Sequence, residues 1–100
     1  MVVNVAAFIA SLDGAAPAPD LNAPLTGLWW AVKGDWDRAH KIVQDESSRE
    51  AAWVHAYLHR VEGDLGNAGY WYRQAGQVAA KDSLEAEWQR IAVTLLGSKT

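Results

Sequence analysis

Two stretches of this chain carry the same step. Val32-Lys33-Gly34-Asp35-Trp36-Asp37-Arg38-Ala39 aligns with Val61-Glu62-Gly63-Asp64-Leu65-Gly66-Asn67-Ala68 at an offset of 29 residues. In each, Gly-Asp stands between two apolar segments of helical period. Glycine enters the left-handed conformation without a Cβ clash, so it ends a helix. An aspartate beside it accepts from the free N–H groups that open the next helix. The step therefore predicts a tight reversal between helices, used twice. Helices paired in this way bury one face on each other and leave another free.

The remaining elements follow from period and capping. Val2, Val5, Ile9 and Leu12 share one helical face with Phe8 at its edge, and Asn4 is placed to cap. A secretory leader would want a basic start, yet no Lys or Arg precedes Lys33, so a short helix is the expectation. Gly14-Ala15-Ala16-Pro17-Ala18-Pro19-Asp20 reads as an extended linker, behind which the first helix would pack loosely. A second helix starts near Leu21 or Pro24 and puts Leu25, Leu28 and Val32 inward. On the third, Trp36, Ala39, Ile42 and Val43 face in. Ser47 with Glu50 has capping-box spacing for a fourth helix, whose inner face is Ala51, Val54, Leu58 and Val61. The fifth turns Leu65, Ala68, Trp71, Tyr72 and Ala75 inward and ends at Gly76. Asp82 with Glu85 repeats the capping-box spacing before a last helix with Leu84, Trp88, Ile91, Ala92 and Leu95 on its stripe. No segment alternates with period two, so no sheet is expected.

Composition removes several function classes. The nine basic residues are scattered and the net charge is −3, which disfavours nucleic acid as a partner. No cysteine is present, which excludes disulfides and thiol chemistry and fits a cytoplasmic location. No apolar run approaches the roughly 18 residues of a membrane span, so no membrane partner is expected. Six tryptophans (Trp29, Trp30, Trp36, Trp53, Trp71 and Trp88) supply large ring area to a small core.

The segments Lys33 to Ala39 and Glu62 to Ala75 resemble the turn and second helix of tetratricopeptide or Sel1-like repeats. The resemblance covers Leu25 to Ala75. It departs in period, 29 residues against roughly 34, and in the missing proline at the repeat end. The block Ala52-Trp53-Val54-His55-Ala56-Tyr57-Leu58-His59-Arg60, with Glu62-Gly63-Asp64 and Tyr70-Trp71-Tyr72-Arg73, also resembles a family of small uncharacterised bacterial proteins, from about Leu28 to Leu96. That likeness implies a bacterial, soluble, all-helical protein and no particular chemistry. The expected fold is all-α, with five to six helices in two to three antiparallel hairpins stacked as in a short tetratricopeptide-like array. An N-terminal helix over residues 1–13, a linker over 14–20, a helical-hairpin domain over 21–97 and a tail over 98–100 make up the chain.

Two constellations could carry function. His55 and His59 stand one helical turn apart, so two imidazoles can meet one ion. Glu62 lies three residues on as an oxygen ligand or supporting partner, and His40 on the preceding helix can reach the same groove. Three histidines and a carboxylate would suit zinc. Metalloprotease helices place a glutamate next to the first histidine, whereas Ala56 stands here, so no catalytic residue is assigned. The second constellation is Asn67, Tyr70, Arg73 and Gln74 on the outer side of the fifth helix, a polar-aromatic face of the kind that anchors interfaces. The leading expectation is a protein-interaction or self-association module without catalysis, with a protein partner or a second copy of itself as a homodimer. The alternatives are a metal-binding protein or metal-dependent enzyme using the His/His/Glu cluster, and a small-ligand pocket lined by Trp and His.

Overall fold

A computed structural model describes residues 4–97. Six α-helices and no strand occur among the described residues: α1 (Val5–Ser11), α2 (Ala23–Val32), α3 (Trp36–Gln44), α4 (Arg49–Val61), α5 (Leu65–Ala75) and α6 (Leu84–Gly97). Val2, expected on the α1 face, and the tail over 98–100 lie outside them.

Both Gly-Asp steps reverse the chain with nearly the same backbone. Gly34 and Gly63 have φ of +90° and +85°. In the first turn the Gly34 N–H donates to Ala31 O and the Asp35 N–H to Trp30 O; in the second Gly63 donates to Arg60 O and Asp64 to His59 O. This is the left-handed C-terminal motif that satisfies the last free carbonyls of a helix. The aspartate then serves the next helix, Asp35 accepting from the Arg38 N–H and Asp64 from the Asn67 N–H. Each aspartate thus closes one helix with its backbone and opens another with its side chain.

The two hairpins, α2 with α3 and α4 with α5, make the closest helix pairs, and α3 and α2 also pack on α4. Gly27 on α2 lets α3 come close, for a Cβ there would stand 2.5 Å from a Val43 methyl. The all-helical fold and the paired helices agree with expectation. No third hairpin forms between α5 and α6, because α6 crosses instead to α4, α2 and α1. The first helix is also firmer than its linker suggested: Phe8 is fully buried and the Trp29 indole donates to Ser11 Oγ at 3.0 Å.

Every residue from Ala51 to His59 is buried, so α4 is the central rod. Several expected positions shift accordingly. Val61 and Leu65 are exposed, since they flank the second reversal where the chain leaves the core. Ile9 is exposed while Phe8 takes the inner position of α1. The α4 cap is Ser48, accepting from Ala51 N–H, not Ser47. Ser83 rather than Asp82 caps α6, leaving Asp82 to pair with Arg90 at 2.7 Å.

Candidate metal centre

Three histidines from two helices meet beside the second reversal. The α3–α4 contact brings His40 against His55 and His59, which α4 holds one turn apart on the same face. His40 Nε2 and His55 Nε2 lie 3.0 Å apart, sharing one hydrogen bond. His55 and His59 stack with centroids 4.9 Å apart, and His40 meets His59 edge-on at 5.5 Å. One ring nitrogen from each of the three lies within 4.8 Å of the others. An ion bound tetrahedrally at about 2.0–2.1 Å spaces its ligand nitrogens by roughly 3.3 Å, so small side-chain shifts would close this set around one.

Aromatic rings wall the cluster. Trp71 of α5 stacks on His55 with centroids 3.9 Å apart, and Trp36 of α3 stacks on His40 at 4.7 Å. Trp36 is fixed in turn by donating its indole N–H to Leu58 O at 2.7 Å. His55 and His59 are buried and His40 is half-buried. His55 Nδ1 is buried with no hydrogen-bond partner. Such an unpaired group costs about 1–3 kcal/mol.

The electrostatics favour the uncharged form of two of the rings, His55 and His40. Burial foremost, and then the neighbouring His40 and His59, push His55 down to about 4. His40 is lowered as well, by burial first and then by His59, with Glu62 and Asp37 acting the other way. Neutral imidazoles are the species that bind metal.

No protein-family model, curated protein or solved structure matches this chain.

Of the four residues singled out as ligands, the three histidines come together and Glu62 joins through one of them. His59 Nδ1–H donates to Glu62 Oε2 at 2.6 Å. A second set, His59 with the exposed Glu62 and Asp64, also offers one ligand atom each within 4.8 Å. Asn67, Tyr70, Arg73 and Gln74 are all exposed on α5. Tyr70 sets its ring edge-on to Trp71 with centroids 5.0 Å apart, so this face adjoins the histidine cluster. Two grooves of about 550 and 230 Å³ open near the starts of α2 and α4 and beside α6; Trp53 lines the smaller, and neither includes a histidine.

Sequence reasoning missed a second polar centre on another side of α4. Glu87 of α6 is fully buried. It accepts from Tyr72 OH at 2.6 Å, from Arg60 Nη1 at 2.9 Å and from Trp53 Nε1 at 3.3 Å. Arg60 also donates to the Asp82 carbonyl. Burial first, then Glu87, raises Tyr57 to about 12, and Tyr72 is raised by burial and its hydrogen bond to Glu87. The available signal was position: Glu87 lies four residues before Ile91 on the apolar stripe of α6, where a carboxylate needs partners.

Proposed function

We propose that this protein binds a divalent transition-metal ion through His40, His55 and His59, with zinc the first candidate. One observation carries the reading: three imidazole nitrogens, from two helices, within 4.8 Å of one another. Imidazole donors suit zinc, copper and nickel rather than magnesium or calcium. Three protein nitrogens leave a fourth tetrahedral position for water or another small ligand. His55 and His59 are buried and His55 Nδ1 has no partner, so the cluster is not a fully hydrogen-bonded core feature.

Trp36 and Trp71 report on binding, since each stacks directly on a ligand ring. Titration of the metal-free protein with Zn²⁺ or Co²⁺ is expected to change tryptophan fluorescence and saturate at one ion per chain, and His55→Phe is expected to abolish saturation. Unchanged fluorescence together with no heat of binding at millimolar ion would refute the reading.

A second reading, a protein-interaction or self-association module without catalysis, is favoured by the exposed face of Asn67, Tyr70, Arg73 and Gln74. Size-exclusion chromatography of the protein and of Tyr70→Ala with Arg73→Ala tests the homodimer form of it. A concentration-dependent dimer lost in the double variant supports it, and a monomer at all concentrations opposes self-association.

A further inference from the structure

The two reversals form an internal control for what the second one carries. Lys33 and Glu62 occupy the same place, each capping a helix just before its glycine, with φ/ψ of −73°/−9° and −81°/−3°. Three residues earlier stand Trp30 in the first copy and His59 in the second. The backbone turn forms equally well with either pair, so turn geometry does not require a His-x-x-Glu pair there. In the first copy Lys33 Nζ instead donates to Leu12 O at 2.6 Å. The carboxylate of Glu62 belongs to the histidine cluster.

Its role follows from which nitrogen it takes. Glu62 Oε2 sits 2.6 Å from His59 Nδ1, a charge-assisted distance. Of Glu62 and Asp64, Asp64 is already engaged as the α5 cap, its Oδ1 accepting from Asn67 N–H. With Nδ1 protonated and donating, the lone pair of the neutral ring is on Nε2. A carboxylate on the outer nitrogen of a metal-binding histidine fixes the tautomer, orients the ring and raises its basicity.

We propose that Glu62 is a positioning residue for the metal centre: it holds His59 in the Nδ1–H tautomer and presents Nε2 to the ion, without itself binding metal. This rests on the three-histidine reading, but its first readout does not need an ion. Long-range ¹H–¹⁵N NMR of the metal-free protein is expected to show His59 protonated at Nδ1. Glu62→Gln, whose amide oxygen still accepts, should keep that tautomer, and Glu62→Ala should lose it. The same three proteins are then titrated with Co²⁺. Affinity is expected to fall in the order wild type, Glu62→Gln, Glu62→Ala, by about 10- to 100-fold overall. The visible Co²⁺ bands should stay in place, because the ligand set is unchanged.

A shift in the band pattern of Glu62→Gln would make Glu62 a direct ligand and overturn the proposal. Equal affinities in all three proteins, or an Nε2–H tautomer in the metal-free wild type, would overturn it as well. If wild type shows the Nδ1–H tautomer and Glu62→Ala loses it, yet no protein binds Co²⁺, the metal reading fails and the positioning of His59 serves no ion.

Discussion

His55 shows at the level of one residue how a site is separated from a core. It is buried, stacked on Trp71, and carries a ring nitrogen with no partner. A residue retained for packing would be better as phenylalanine. His55→Phe keeps the stack and removes the orphaned nitrogen but also the 3.0 Å hydrogen bond to His40, so the two effects offset and metal-free stability is expected to change by less than about 1 kcal/mol in denaturant unfolding. Zinc binding should be lost in the same variant. A loss of stability larger than about 2 kcal/mol would instead mark His55 as a structural residue. Gly27 gives the opposite case. Its Cβ would stand 2.5 Å from a methyl of Val43, a short stiff side chain, so Gly27→Ala is expected to cost about 1–3 kcal/mol in the same assay.

At the level of the element, the reversals and caps were the most legible part of the sequence. Gly34, Gly63, Asp35 and Asp64 act locally, and local chemistry is what sequence displays. Gly63→Ala, forced into φ of +85°, is expected to lower stability by about 1–2 kcal/mol, read as a lower thermal midpoint. Adjacent serines defeated the same reasoning, for Ser47 and Ser48 offer the same hydroxyl one residue apart, and it is Ser48 that accepts from the Ala51 N–H. His55 and His59 were legible as a pair because one helix holds them, and His40 because hairpin packing brings α3 to α4. The tryptophan walls were hidden, since ring stacking on histidine depends on the crossing of α3 and α5 with α4. Glu87 was least legible, because its donors Trp53, Arg60 and Tyr72 come from two other helices. That network predicts alkaline sensitivity. Tyr57, raised to about 12, and Tyr72 keep their protons in the fold at pH values where the unfolded chain, near 10, releases them. Their contribution is whole below pH 10 and fades as pH climbs toward 12, so the thermal midpoint should fall across that window. Tyr72→Phe should lower stability at neutral pH by about 1.5–3 kcal/mol, the worth of a hydrogen bond to a charged group, and make the alkaline fall of the midpoint shallower.

For the whole molecule, the first and last helices close the structure on each other. α1 packs on α6, and α6 on α2 and α4, so an element behind a Pro/Ala linker becomes part of the core. Phe8→Ala is therefore expected to cost about 3–5 kcal/mol in a single cooperative transition. A loose α1 would give a change near zero. The radius of gyration, 12.4 Å, is close to the roughly 13 Å expected of one compact 100-residue unit. Within that unit the histidine cluster joins the two hairpins, His40 coming from the first and His55 with His59 from the second. An ion there would tie one hairpin to the other. The most direct measurement is an anomalous-difference map from crystals of the protein grown with zinc. One strong peak is expected at about 2.0–2.1 Å from nitrogens of His40, His55 and His59, with Glu62 on the far side of the His59 ring. Zinc only at surface carboxylates, or no peak between the three rings, would contradict the three-histidine reading.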